Sequence, residues 1–330
     1  MVDKYNRNIN YLRVSVTDRC NLRCIYCMPT EGISCLRHED ILTYEELHRI
    51  IRVASDVGIC KVRITGGEPL VRRGIVDFVK SLGTINKLSD ISMTTNGILL
   101  KEFAAELFHA GIGRINISLD SLNAEKYRKI TRQGNLQTVL DGIEKARQVG
   151  FSPIKINIVA IKGFNDDEIL DFARLTIDNP LQIRFIELMP LGDAGIESDG
   201  RFLSNDLIKE RIATIGKLEQ VKRQGDEADG PADMYRLAGS KGHIGLISAI
   251  SHNFCSSCNR LRLTSDGQLR SCLLSDKETD LRGPLRSGCS DSGLKDIIEG
   301  AIAKKPDRHK IANDGNYRKK CVKEMSTIGG

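Results

Sequence analysis

Tryptophan is absent from the chain, and aromatic residues make up only 5% of it. That scarcity counts against a surface built to stack nucleic-acid bases. No run approaches the roughly 18 uninterrupted apolar residues of a membrane-spanning helix. The first residues, Met1-Val2-Asp3-Lys4-Tyr5-Asn6-Arg7, lack the apolar segment of a secretory signal. The expectation is a cytoplasmic protein with neither a membrane nor a nucleic acid as partner. Strong charge of one sign is also missing: 49 Lys and Arg stand against 43 Asp and Glu, a net charge of +6. The short runs Lys304-Lys305 and Arg318-Lys319-Lys320 read as solvated faces. Such a balance suits a few placed cations around a small anion better than bulk attraction.

Cysteine, by contrast, is plentiful. Ten cysteines in a long chain without an export signal point to metal binding or catalysis rather than to disulfides. Four of them, Cys35, Cys60, Cys289 and Cys321, stand alone and read as small buried residues. Six fall into two groups. The first follows the alternating apolar run Tyr11 to Val16 and has the spacing Cys20-x3-Cys24-x2-Cys27. Structural zinc normally takes four protein ligands. Three thiolates with a vacancy suit an iron–sulfur cluster whose fourth iron binds something exchangeable.

This triplet, with Tyr26 before its last cysteine, resembles the signature of the radical S-adenosylmethionine superfamily. The resemblance implies that Cys20, Cys24 and Cys27 hold three irons of a 4Fe–4S cluster. The amine and carboxylate of S-adenosylmethionine would then chelate the fourth.

The rest of the chain is read as βα units. Thr43 and Glu46 form a capping box ahead of a helix with apolar positions at Leu47, Ile50, Ile51, Ala54 and Val57, stopped by Gly58. Strands are expected at 59–64, 91–95, 115–119, 154–161 and 183–188, with helices near 75–82, 99–110, 136–149 and from 166 onward. Six strands alternating with helices imply a parallel sheet, doubly wound or barrel-like. No Gly-x-Gly-x-x-Gly follows the first strand, which weakens a dinucleotide-binding reading. The resemblance favours an α/β fold of partial (β/α)6 TIM-like barrel type. The rhythm changes after residue 203, through a helix near 207–215 and a loop at 223–232, to strands at 244–250 and 260–264. The expected division is a barrel over residues 1–220 and a smaller region, carrying the second group of cysteines, over 221–330.

Polar motifs fall at the strand ends, where parallel α/β folds gather ligand sites. They are Gly66-Gly67-Glu68-Pro69, Thr94-Thr95-Asn96-Gly97, Ser118-Leu119-Asp120 and Met189-Pro190. By resemblance, Tyr26, Gly67, Glu68, Ser118 and Met189 contact S-adenosylmethionine, and Thr94 faces a second substrate. Arg13, Arg63 and Lys155 lie on strands. Charges on core strands need a partner, and a polyanion would be one.

The second group is Cys255-x2-Cys258-x13-Cys272, in the run His252-Asn253-Phe254-Cys255-Ser256-Ser257-Cys258-Asn259-Arg260-Leu261-Arg262. Alone it would read as a zinc ribbon completed by His252 or Cys289. Arg260 and Arg262, two apart on a strand, share a face and present guanidinium groups suited to phosphate. Together these features resemble the GTP 3′,8-cyclase family over nearly the whole chain, from Arg13 to Gly329-Gly330. The resemblance implies two 4Fe–4S clusters, the second held by Cys255, Cys258 and Cys272 with its open iron on guanine. It implies GTP contacts from Arg13, Arg63, Thr94, Lys155, Arg260 and Arg262. An adenosyl radical would take hydrogen from C3′ of GTP, and the resulting carbon radical would add to C8. An electron and a proton would complete 3′,8-cyclo-7,8-dihydro-GTP, with Arg13, Arg260 and Arg262 as catalytic candidates. The terminal Gly-Gly would reach into the site. Implied partners are a one-electron donor such as flavodoxin or ferredoxin and a downstream cyclic pyranopterin monophosphate synthase; monomer and homodimer stay open. Two other readings remain. One is a peptide-modifying radical enzyme with a fully ligated second cluster; the other is a zinc-dependent nucleic-acid-binding protein.

Overall fold

A computed structural model of the chain describes residues 1–191, 200–221, 230–309, 321, 323 and 325–329. Six parallel strands form its centre: β1 (Tyr11–Ser15), β2 (Lys61–Thr65), β3 (Asp90–Thr95), β4 (Arg114–Ser118), β5 (Ile154–Ala160) and β6 (Leu181–Glu187). Each agrees with its sequence expectation to within two residues at either end. Three more strands follow β6: β7 (Leu218–Gln220), β8 (Asp233–Leu237) and β9 (His243–Ile247). The last pairs parallel to β6, with β8 and β7 antiparallel beyond it. At the other edge β10 (Arg260–Leu263) lies parallel to β1, with β11 (Gln268–Arg270) and β12 (Thr279–Asp280) antiparallel outside it. The described strands make one open, curved sheet in the order β12-β11-β10-β1-β2-β3-β4-β5-β6-β9-β8-β7. Strands on either side of residue 220 therefore share one sheet.

The helices pack on its outer face: α1 (Tyr44–Asp56), α2 (Ile75–Leu82), α3 (Leu100–His109), α4 (Ala124–Thr131), α5 (Leu136–Val149), α6 (Ile169–Asp178), α7 (Asn205–Ala213), α8 (Arg282–Arg286) and α9 (Asp291–Ala303). A short α10 (Met325–Ile328) lies near the end of the chain. The capping box at α1 is present: Thr43 Oγ1 accepts from Glu46 N at 3.2 Å, and Glu46 Oε2 accepts from Thr43 N at 2.8 Å. α5 runs from an Asn135 cap to Gly150, whose φ of 106° a side chain would resist. The expected loop at 223–232 lies largely outside the described residues, as do Arg318-Lys319-Lys320 and Gly330.

Alternation along the strands divides the sheet into two faces. Leu12, Val14, Val62, Ile64, Ile115, Ile117, Ile154, Ile156, Ile183 and Phe185 belong to the hydrophobic core beneath the helices. The intervening residues Tyr11, Arg13, Arg63, Ser118, Asn157 and Arg184 line a cavity on the concave side. A closed (β/α)8 barrel fills its interior with apolar side chains. Here the interior face is polar and hollow.

Candidate active site

The cavity contains about 1890 Å³ of atom-free space, part of it open to solvent. All six clustered cysteines line it: Cys20, Cys24 and Cys27, and Cys255, Cys258 and Cys272. The strand register puts the two triplets at opposite ends. Cys20 to Cys27 follow the C-terminal end of β1, whereas Cys258 precedes Arg260, which pairs with Tyr11 at the N-terminal end of β1. Antiparallel β11 runs back toward that same end before Cys272. The length of β1 alone separates the triplets by on the order of 13 Å.

The Gly-Gly-Glu-Pro turn fixes the first triplet. Gly67 N donates to Thr17 O at 2.6 Å and Glu68 N to Arg19 O at 2.8 Å, so the turn's backbone lies directly on the cysteine loop. A Cβ on Gly67 would stand 2.4 Å from Arg19 O and 2.7 Å from Asp18 O, which only glycine avoids. Glu68 is buried, and that burial pushes its carboxyl up to about 7 against hydrogen bonds from Asn96 N, Thr95 Oγ1 and Leu70 N. Tyr26 OH donates to Asp120 Oδ2 at 2.7 Å, while Val159 N donates to Asp120 Oδ1 at 2.8 Å. Asp120 thereby fastens the cysteine loop to β5. Burial raises the thiol of Cys20 to about 11 and drives Cys24 well upward. Such thiols give up their protons to a metal more readily than to water.

At the other end the charge balance is reversed. Burial opposes the Cys258 thiolate, but Arg260 and Lys305 overcome it and bring the thiol down to about 6. Arg260 places its guanidinium 4.7 Å over the Phe254 ring and 3.6 Å from the Cys258 sulfur. Neither His252 nor Cys289, the fourth ligands of the rival readings, lines the cavity. His252 has a side chain 64% exposed, and its Nε2 lies 2.7 Å from Asp206. Cys289 sits before α9, where its carbonyl accepts from Arg49 at 2.6 Å. Among the described residues no three His, Cys, Asp or Glu side chains could grip a single metal ion. A cube-shaped cluster spreads its thiolates over separate irons and takes a wider triplet.

Between the triplets lies a row of guanidinium groups. The register aligns Arg270 with Arg262, Arg262 with Arg13, and Arg13 with Arg63 across four adjacent strands. Glu278 neutralises Arg270 at 2.7 Å. Arg63 stacks on Tyr11 and bonds Ser92 Oγ at 3.3 Å. Arg262 donates to Gly329 O at 2.5 Å, so the tail does enter the cavity, between Ser15 and Thr65. Burial first, then the neighbouring Arg262 and Arg63, push Arg13 well downward; burial and Arg260 lower Arg262 to about 9. Arginine keeps its proton in proteins, so the physical remedy for such crowding is an anion. Thr94 Oγ1, Asn157 Oδ1 and Tyr11 OH are buried on this wall without a hydrogen-bond partner among the described residues.

The structure brings together Arg13, Tyr26, Arg63, Gly67, Glu68, Thr94, Ser118, Met189, Arg260 and Arg262 in one cavity wall. Lys155 is the exception. It is 1% exposed and lies two residues below Asn157 on β5, beneath the wall. Asp120, Asn157, Arg184 and Arg270 line the wall as well, though only Asp120 lay in a sequence motif. The inward alternation of β5 and β6 was the signal for Asn157 and Arg184.

Comparison with known proteins agrees with this geometry. Residues 14–176 match the Radical SAM superfamily, and residues 181–311 match Molybdenum Cofactor Synthesis C. A GTP 3′,8-cyclase of Desulforamulus reducens is 51% identical over 332 residues, covering 100% of both chains. Another, of Thermodesulfovibrio yellowstonii, is 50% identical with the same coverage. The chain belongs to the GTP 3′,8-cyclase family. It is therefore a radical S-adenosylmethionine enzyme. The fold is shared more widely, at 14% identity: Streptococcus suis SuiB superposes with a TM-score of 0.61 over 97% of this chain and 79% of its own. The anSMEcpe structure with bound AdoMet does so at 0.57, over 91% and 82%. Among the described residues no helix is long and apolar enough to cross a membrane.

Proposed function

We propose that this member of the GTP 3′,8-cyclase family converts GTP to 3′,8-cyclo-7,8-dihydro-GTP within the single cavity between the two cysteine triplets. The observation that carries the reading is the arginine row midway between them, on one polar face of the sheet. Cys20, Cys24 and Cys27 hold one 4Fe–4S cluster, and Cys255, Cys258 and Cys272 hold the other. When bound, the first cluster and S-adenosylmethionine supply the one-electron chemistry that removes a hydrogen atom from the sugar.

The chain's own residues bind and orient. Tyr26, Gly67, Glu68, Ser118 and Met189 bind S-adenosylmethionine at the C-terminal ends of the strands, with the Glu68 carboxylate accepting from the methionyl amine. Arg13, Arg63, Arg260 and Arg262 hold the triphosphate, whose charge relieves their crowding. The Thr94 hydroxyl takes a hydrogen bond from the nucleotide or gives one. Lys155 contributes charge from beneath the wall. Arg13, aligned between Arg262 and Arg63 at the centre of the row, is the candidate for an active role beyond binding. Residues 1–220 build the radical-generating end, and residues 221–330 supply the second cysteine triplet. The reductant is an external one-electron carrier, and a cyclic pyranopterin monophosphate synthase takes the product.

The test is anaerobic reconstitution with iron and sulfide counting, then incubation with dithionite, S-adenosylmethionine and GTP. About eight irons per chain are expected, together with GTP-dependent 5′-deoxyadenosine and a cyclised guanosine triphosphate by mass. Cleavage of S-adenosylmethionine without consumption of GTP would refute the substrate assignment. Zinc without iron would refute the whole reading.

A further inference from the structure

Lys305 belongs to a run that sequence reading assigns to solvent, yet it is 2% exposed. Its ammonium donates to Arg260 O at 2.9 Å and to Ser271 O at 2.5 Å. The first carbonyl lies two residues after Cys258, and the second immediately precedes Cys272. Among the described residues no carboxylate pairs with Lys305. The next two residues continue the pattern: the carbonyls of Pro306 and Asp307 accept from Arg7 at 2.8 and 3.0 Å. Arg7 also donates to Cys255 O at 2.9 Å. Asp3 pairs with Arg7 at 2.6 Å, both side chains almost wholly buried. Two residues further on, the backbone N–H of His309 donates to the Cys255 sulfur, and its ring lies 3.1 Å from Ala249 O. Two buried cations from opposite ends of the sequence thus converge on the carbonyls flanking all three cysteines of the second triplet.

We propose that Lys305 and the Asp3–Arg7 pair are positioning residues for the second cluster. They hold the backbone around Cys255, Cys258 and Cys272 in place before the metal arrives, and the Lys305 charge is completed by the anionic cluster. The inference rests on the reading that these thiols hold a 4Fe–4S cluster. Burying an ammonium without a counter-charge is costly. Three thiolates outweigh the formal charge of the cluster they hold and leave a net anion beside the Lys305 ammonium. Arg7 has a different part. Asp3 neutralises it, so its contribution is geometric: three carbonyls from two distant segments meet on one planar fork.

The experiment compares the full-length wild type with K305M, K305R and R7K after identical anaerobic reconstitution. Iron is counted, and the reduced clusters are followed by electron paramagnetic resonance. The wild type should carry about eight irons. K305M should fall to about four and lose the spectral component of the second cluster while keeping that of the first. K305R should recover much of the loss, because it restores the charge and the donors. R7K, which keeps the charge but cannot span three carbonyls, should lose part of the second cluster. A wild type with about four irons would overturn the cluster assignment itself. A wild type and a K305M variant that both carry about eight, with unchanged spectra, would overturn the positioning role alone. Hydrogen exchange on cluster-free wild type tests the same idea without a variant. Amides of 255–258 and 271–272 should exchange as slowly as those of β10; exchange as fast as in exposed turns would overturn it.

Discussion

Glu187 offers a quantitative test of how the barrel is joined to the segment that carries the second triplet. Its side chain is 0% exposed at the end of β6. One carboxylate oxygen accepts from Ile250 N at 2.8 Å and Ser251 N at 2.9 Å. The other accepts from Asn205 N, the first residue of α7, at 3.1 Å and from Ser251 Oγ. The replacement E187Q preserves volume but supplies only one acceptor oxygen. If the amide oxygen faces residues 250–251, the amide nitrogen meets the Asn205 N–H and leaves that donor unsatisfied. An orphaned buried donor costs about 1–3 kcal/mol. Losing charge assistance on two remaining bonds, each about twice as strong as a neutral one, brings the total to about 2–4 kcal/mol. For 330 residues that corresponds to a fall of about 3–6 °C in the melting temperature of the cluster-free chain. Calorimetry provides the number, and hydrogen exchange should localise the loosening to 250–255 and the first turn of α7. A melting temperature within about 1 °C of wild type, with exchange unchanged there, would refute the account.

Three further expectations concern the cavity. G67A forces a methyl group into the Arg19 and Asp18 carbonyls; it should displace the Cys20 loop, lower the iron content to about four and abolish S-adenosylmethionine cleavage. If Arg262 holds the triphosphate as proposed, R262A removes a charge-assisted contact worth about 1.5–3 kcal/mol, and the KM for GTP should rise about 10–150-fold, measured by initial rates of product formation. Asp120 is pushed up to about 6 from the ordinary value of 3.8 by burial, against hydrogen bonds from Val159 and Tyr26. Ionisation is then harder in the folded chain than in the unfolded one. Stability should fall as pH rises from about 4 to about 6, by up to about 3 kcal/mol, and level off above. D120N lacks that titration, so wild-type stability relative to D120N, measured by urea unfolding, should decline across that window. A constant difference would argue against it.

The features legible in the sequence were those with short-range causes. Strand alternation placed Arg13, Arg63, Arg260 and Arg262 on one face because Cβ direction has a period of two. Capping residues placed α1 and α5. The helix α4 was missed because its eight residues bury only Tyr127, Ile130 and Thr131 and its start depends on the Asn123 cap. The antiparallel strands β7, β8, β11 and β12 were missed because they are two to five residues long and are defined by partners distant in sequence. Lys305 was misread for the same reason. Nothing in Lys304-Lys305 distinguishes the lysine in solvent from the one enclosed by the carbonyls of Arg260 and Ser271. Lys155 shows the opposite limit: alternation gave its face, but not its depth.

The register explains why the two triplets need different supports. At the C-terminal ends of the strands every crossover delivers a loop, and Gly67, Asn96 and Asp120 brace the first triplet from three successive loops. At the N-terminal ends the chain arrives from helices, and few loops face the cavity. The second triplet is instead carried on the approach to β10 and the exit from β11, at the outer edge of the sheet. That edge is anchored to β1 by main-chain pairing and by Asn259 Nδ2, which donates to Asn10 Oδ1 at 2.8 Å. Beside that edge Arg7 collects the carbonyl of Cys255, and Lys305 those of Arg260 and Ser271. Neither triplet can reach across the cavity by itself, since the length of β1 intervenes. Chemistry that uses both must therefore pass through a molecule long enough to span the interval and anionic enough to sit on the arginine row that crosses it. A nucleoside triphosphate meets both conditions.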